Sequence, residues 1–321
     1  MKKWQYTKGL HDLANGHYAY LVPDGSWGWS NAGLIVDGGQ TLLVDTLFDL
    51  NMTGEMLAAM RSAVPAARNI GALVNTHANG DHTFGNQLVE GARIIASKAC
   101  AEDMPNRPPE LFARWMKEWP TMGIGGRFWQ EVIGSHFDFN GIRLTLPTET
   151  FSGEMSVRVG GKEVKLIEVG PAHTRGDVVV YVPEDRVLYM GDMLFNGAHP
   201  AVWAGPVTNW IKACDRMLDW DVETVVPGHG AITDKGGIRE QRDYLAYLMD
   251  ESRKCYHEGM SFEQAAERIA LDRFAHYAED ERMYVNVYAC YRELSDRKME
   301  RPDIQAMYTL MGQRHFGKQA H

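Results

Sequence analysis

The chain is short of several things, and each shortage closes a door. Its 321 residues hold four cysteines, Cys100, Cys214, Cys255 and Cys290, far apart and with no CxxC pair. That fits a reduced cytoplasm better than a disulfide framework, and a cytoplasmic location is expected. No apolar run reaches the roughly 18 residues of a spanning helix, and the basic start from Met1 to Lys8 leads into no stretch of signal-peptide length. No membrane partner is therefore expected. Positive charge is also scarce: 33 Lys and Arg against 42 Asp and Glu leave a formal net charge of −9, which disfavours nucleic acid as a partner. A GxSxG elbow is missing, so a serine nucleophile of that type is excluded. With 45% hydrophobic and 23% charged residues, a globular enzyme with a sizeable core and a small-molecule substrate is the expectation.

What is present concentrates in Thr76-His77-Ala78-Asn79-Gly80-Asp81-His82, where two imidazoles and a carboxylate follow the apolar run Ile70 to Asn75. The run reads as a buried strand, and Gly80 as part of a tight loop before a helix beginning near Thr83. Asp81 and His82 would point about 100° apart on a regular helix, so the loop is expected to aim them. Nitrogen and carboxylate donors suit Zn(II), Mn(II) or Fe(II). Three further candidates stand where strand-like segments end: His173 after Lys165–Val169, Asp192 closing Val187–Asp192, and His229 after Glu223–Gly228. Singly, each has an ordinary reading as a turn, cap or structural residue. In order, four strand-end loops supplying His or Asp are what a metal centre at one sheet edge requires. The other histidines lack such context and read as surface or structural, with His199 closest to the ligand series because it follows Asp192.

On these residues the chain resembles the metallo-β-lactamase-fold hydrolases, whose ligands run His-x-His-x-Asp-His, then His, Asp and His. The resemblance covers about residues 17 to 235, including Asn31-Ala32-Gly33 and Leu42-Leu43-Val44-Asp45-Thr46. It implies an α/β fold, a four-layer αββα sandwich, with one metal held by His77, position 79 and His173. It implies a second metal held by Asp81, His82 and His229, with Asp192 bridging. The departure is Asn79, which stands where the family has His. An amide oxygen is a poorer donor than imidazole, so one or two zinc ions per chain are expected, or Mn2+ or Fe2+, with the second site the tighter.

Residues 1–235 read as the metallo-β-lactamase-like domain and 236–321 as a helical C-terminal extension. In the first part, Tyr18–Val22, Gly33–Val36 and Thr41–Val44 read as strands, with a hairpin turn at Asp37-Gly38-Gly39 and a helix over about Met52–Ser62. An insertion from about 104 to 139, rich in proline and aromatics, breaks the βα pattern and reads as an irregular lid or as core packing. Trp115 in it, Trp27 and Trp29 in the Gly25–Ser30 loop, and Trp203 after Asp192 are the candidate pocket residues. Helical periodicity covers Gly236–Glu258, Phe262–Ile269 and Met283–Leu294, forming a bundle, a pocket wall or a homo-oligomer surface. The residues from Gly312 read as a tail.

The resulting expectation is a metal-dependent hydrolase in which metal-bound hydroxide attacks a carboxylic ester, lactone or thioester bearing an apolar or aromatic group. Asp81 and Asp192 are its catalytic carboxylates. A β-lactamase fits less well, because no Lys or Arg stands in the loop after Asp192 to hold a substrate carboxylate. The alternative is a non-haem Fe(II) oxygenase, because His77, His173 and Asp192 supply two histidines and a carboxylate. A non-catalytic binding protein is a weaker third, since the other ligand positions are filled.

Overall fold

The computed structural model describes residues 4–23, 26–300 and 303–319. Met1 to Lys3, and Gly25 of the tryptophan loop, lie outside the described residues. The fold is built on two sheets. The first holds seven strands in sequence order: β1 (Gly9–Ala14), β2 (His17–Leu21), β3 (Ala32–Asp37), β4 (Gln40–Val44), β5 (Ala72–Val74), β6 (Arg93–Ser97) and β7 (Glu149–Phe151). Its first four strands are antiparallel, and β4 to β7 run parallel. The second holds β8 (Glu154–Val159), β9 (Lys162–Glu168), β10 (Val178–Val182), β11 (Val187–Asn196) and β12 (Thr224–Gly230) in the order β12-β11-β10-β9-β8. Strand β1 has no counterpart in the sequence reading, because its mostly half-exposed edge carries no apolar alternation.

The period-2 pattern divides the core. In β10, Val178, Val180 and Val182 face the first sheet, joining Leu42, Val44, Val74 and Ile95, whereas Val179 and Tyr181 face outward. Outside the first sheet, Leu34, Leu43, Leu73 and Ile94 pack on Met56, Leu57 and Met60 of α1 (Leu50–Ala63), whose start is capped by the Asp49 side chain. The one-turn α2 (Gly80–Thr83) and the six-residue α3 (Lys98–Asp103) follow. Outside the second sheet lie α6 (Val207–Leu218) and α7 (Lys235–His257), giving the αββα order of layers.

The insertion is helical rather than irregular, forming α4 (Pro109–Glu118), α5 (Gly123–Trp129) and a π-helical turn over Gln130–Gly134. Its prolines punctuate instead of breaking: Pro109 opens α4, and Pro105 and Pro120 sit in the first turn of short 3-10 segments. Phe112, Trp115, Phe128 and Trp129 are buried, so packing prevails over a lid. The C-terminal segment forms α8 (Phe262–Arg268), α9 (Met283–Leu294) and α10 (Ile304–Gln319). The tail expected from Gly312 is therefore the second half of a helix. Gly312 misleads because it serves a close crossing: a Cβ there would lie 2.9 Å from the carbonyl oxygen of Ile124 and 3.0 Å from Phe128 in α5. One continuous hydrophobic cluster unites the insertion, the outer face of the second sheet and α6 to α10.

Candidate metal centre

Two corrections concern how the ligand candidates are carried. Asp81 and His82 sit on α2 itself, which starts at Gly80 rather than near Thr83. Asp192 and His229 lie inside β11 and β12 instead of just beyond them. The β11–β12 pairing is irregular between Tyr189 and Gly191 and again before Phe195, so the ladder loosens where Asp192 turns inward. Gly228 permits the approach, since a Cβ there would stand 2.1 Å from Oδ1 of Asp192. His77 follows β5, and His173 sits in the β9–β10 loop. That loop is folded around the buried Asp177 carboxylate, which accepts hydrogen bonds from the backbone N–H groups of Ala172 and Thr174 and from the Thr174 hydroxyl.

The chain brings all of these side chains to one point. Oδ1 of Asp192 faces Nε2 of His82 at 3.0 Å and Nε2 of His229 at 3.3 Å. Its Oδ2 faces Nε2 of His173 at 3.3 Å and Nε2 of His77 at 3.7 Å. Asp81 lies 3.4 Å from Nε2 of His229 and 3.7 Å from Nε2 of His82, on the Oδ1 side. Two groups, His77 with His82 and Asp192, and Asp81 with His82 and His229, each have ligand atoms within 4.8 Å of one another. Asn79 stands on the Oδ2 side, with its amide nitrogen 2.9 Å from Nε2 of His173.

Each histidine is held from behind at Nδ1. His82 is 3.0 Å from Oδ2 of Asp45, His229 is 3.0 Å from the Trp29 carbonyl oxygen, and His173 is 2.5 Å from the Ala201 carbonyl oxygen. His77 donates to the hydroxyl of Thr76 at 3.0 Å, and that hydroxyl donates onward to Asp45 at 2.7 Å. All four rings therefore turn Nε2 inward. This is the outer-shell pattern that orients imidazole ligands. Asp45, with φ of 63°, anchors His82 directly and His77 through Thr76, a role the sequence did not single out.

Electrostatics divide the centre. Burial pushes His173 down to about 4 and His77 well below its ordinary value, so both rings are neutral and their Nε2 lone pairs are available. Burial would lower His82 and His229 too, but Asp192 and Asp81 outweigh it, raising His82 strongly and His229 to about 9. Against its own burial, Asp192 is held well below the carboxylate range by the surrounding histidines.

The donor set fits a divalent cation. Nε2 of His77, Nε2 of His82 and Oδ1 of Asp192 are buried yet make no hydrogen bond among the described residues. The 3.0 Å approach of His82 to Asp192 is therefore a convergence of two ligand atoms on shared space rather than an aligned donor and acceptor. Uncompensated buried polar atoms cost free energy, and a metal ion satisfies them together.

A cavity of about 60 Å3 opens onto this centre, walled by Trp27, Phe48, Phe112, Phe195 and Trp203. Of the tryptophans expected there, Trp27 and Trp203 line it. The Trp29 ring instead packs on Phe137 and His136, and Trp115 on Trp129 and Tyr308. Arg107, Arg282 and Tyr308 also reach the cavity, and the sequence flagged none of them. They belong to the insertion, the start of α9 and α10, and carry no motif linking them to the ligand series.

A sandwich with His and Asp gathered at one rim defines a class of metal-binding α/β proteins. A family model described as the metallo-beta-lactamase superfamily matches residues 25–229, and the chain belongs to that superfamily. It is 27% identical over 205 residues to the 2,4-dinitroanisole O-demethylase subunit alpha of Nocardioides sp. (strain JS1661), covering 61% of this chain and 51% of that protein. It is 22% identical over 259 residues to a linear primary-alkylsulfatase of Pseudomonas sp. (strain ATCC 19151), covering 72% of this chain and 48% of the other. The chain thus spans about half the length of these curated relatives. A solved sec-alkylsulfatase, Pisa1 from Pseudomonas sp., shares the fold with a TM-score of 0.69 at 16% identity, over 97% of this chain and 54% of that one. Among the described residues no helix is long and apolar enough to cross a membrane.

Proposed function

We propose that the chain is a metal-dependent hydrolase that cleaves a carboxylic ester, lactone or thioester, or a related bond at oxygen, in a small substrate with an apolar or aromatic group. The observation that carries this reading is the Asp192 carboxylate, with one oxygen turned to His82 and His229 and the other to His77 and His173. Asp81, His82 and His229 would hold one divalent ion with Asp192, and His77 and His173 the other, with Asn79 a weak partner. When bound, such an ion supplies Lewis acidity and a hydroxide nucleophile near neutral pH.

The chain's own groups do the rest. Asp45, Thr76, Ala201 and Trp29 hold the four imidazoles in orientation, so little reorganisation accompanies the reaction. Asp81 lines the cavity and would accept a proton from water entering there. The aromatic wall favours an apolar group beside the reacting bond.

The test is turnover by protein reconstituted separately with Zn2+, Mn2+ and Fe2+, on esters, lactones and thioesters. The relatives' names extend the panel to aryl methyl ethers and alkyl sulfates. Oxygen-independent cleavage of at least one class, abolished by chelator and restored by metal, is the expected result. Consumption of dioxygen by the iron form, with no hydrolysis by any form, would overturn it in favour of the oxygenase reading.

A further inference from the structure

The cavity at the metal centre carries further polar groups outside the ligand set. Tyr308 on α10 is buried, 4% exposed, and lines the cavity, and among the described residues its hydroxyl makes no hydrogen bond. Arg107, half-buried, lies with its guanidinium 5.1 Å from the Trp203 ring and has no carboxylate or carbonyl partner among the described residues. Arg282 is buried, stacks over Trp27 at 4.3 Å and Phe195 at 5.2 Å, and donates to the His199 carbonyl oxygen. Among the described residues its Nε–H has no acceptor, and Glu279 lies 3.4 Å from its Nη1. Both guanidiniums, the Tyr308 phenol and the Asp81 carboxylate line the same cavity.

We propose that Arg107, Tyr308 and Arg282 form an oxyanion-binding pole that takes a carboxylate, sulfate or sulfonate group of the substrate. The Arg107 guanidinium and the Tyr308 hydroxyl line the cavity with no hydrogen-bond partner among the described residues, and an oxyanion accepts from guanidinium and phenol together. Glu279 offsets much of the charge of Arg282, so Arg107 supplies the net positive charge and Tyr308 the directional hydrogen bond. Arg107 also lines a neighbouring polar cleft of about 350 Å3 together with Asn79 and Trp203, so it stands where a ligand would pass inward. The inner space suits a compact group rather than a long chain. This inference rests on the hydrolase reading only in calling the ligand a substrate; the pole itself is a statement about binding.

The probes are benzenesulfonate and benzoate, with the neutral isosteres methyl phenyl sulfone and acetophenone, titrated by tryptophan fluorescence into the zinc-loaded full chain. At least one anion should bind about tenfold or more tighter than its neutral partner, on the scale of one charge-assisted hydrogen bond. Whether benzoate or benzenesulfonate wins distinguishes a planar from a tetrahedral group. Arg107→Gln and Tyr308→Phe, with metal content shown equal to wild type, should each lose about tenfold for the anion and leave the neutral probe unchanged. Arg107→Lys should recover part of that loss. Equal affinities for anion and isostere, equal losses for both probes, or no binding of any probe would overturn the pole. Hydrolysis without anion selectivity defeats the pole and spares the hydrolase; anion selectivity without hydrolysis does the reverse.

Discussion

The side-chain amide nitrogen of Asn79 lies 2.9 Å from Nε2 of His173, the ring nitrogen that faces Asp192. Since Nδ1 of His173 donates to the Ala201 carbonyl oxygen, Nε2 carries the lone pair, and Asn79 donates into it. An ion on that side must displace this hydrogen bond and gains no imidazole from position 79. Wild-type protein should therefore retain one tightly held metal and a second that exchanges readily. Asn79→His should tighten the second by about tenfold to a hundredfold. Elemental analysis across a chelator titration checks this, and two equally tight ions in the wild type would count against it.

Asp45 makes a different demand. Its carboxylate accepts from His82 and from both the N–H and the hydroxyl of Thr76, so it serves both halves of the centre without contacting an ion itself. Asn tolerates the left-handed backbone at this position, so Asp45→Asn tests the charge and the acceptor geometry rather than the turn. Metal affinity should fall by about tenfold to a hundredfold with the fold intact. Competition with a chromogenic chelator reads the loss, and unchanged affinity would remove Asp45 from its positioning role.

The ligand series was legible because His77, Asp81, His82, His173, Asp192 and His229 follow apolar strands in order, and local pattern places such residues near one sheet rim. Even so, Asp192 and His229 lie within β11 and β12, because a strand whose pairing loosens still counts as extended. The helices α7 to α9 follow from their periodicity, whereas Gly312 imitates a terminator while serving a close crossing with α5. Arg107, Arg282 and Tyr308 were out of reach for another reason. They stand in three separate segments of the chain, and only packing of α10 against α5 and of α9 against α7 brings them to one cavity.

Asp192 is the residue whose loss should be most severe. Asp192→Asn preserves volume but replaces one anionic oxygen with an amide group that donates toward rings already turned inward, and it removes the negative charge that faces His82 and His229. The variant should lose bound metal and at least about a hundredfold in rate on whichever substrate the panel identifies. Activity within about tenfold of wild type at full metal content would sink the bridging assignment.

Away from the metal centre, His17 should set part of the acid stability. It is fully buried between the sheets, with Nε2 2.9 Å from Asp185 and Nδ1 3.3 Å from the Tyr189 hydroxyl, while Lys162 pairs with the same Asp185 oxygen at 2.5 Å. Burial lowers its pKa and outweighs the attraction of Asp185. In the unfolded chain the imidazole takes up a proton near pH 6.5, whereas the folded protein resists protonation until lower pH. The unfolded state therefore binds more protons in that interval, and stability falls as pH drops below about 6.5, by at most about 1.4 kcal/mol per pH unit. His17→Gln keeps a hydrogen-bonding side chain and removes the titration, so it should be less stable at about pH 7.5 but lose less between there and about pH 5.5. Urea midpoints of both proteins at the two pH values measure the difference of differences. An equal acid-side loss in wild type and variant would show that the fold leaves the His17 pKa near its unfolded value, and a smaller loss in wild type would show that pairing with Asp185, not burial, governs its charge.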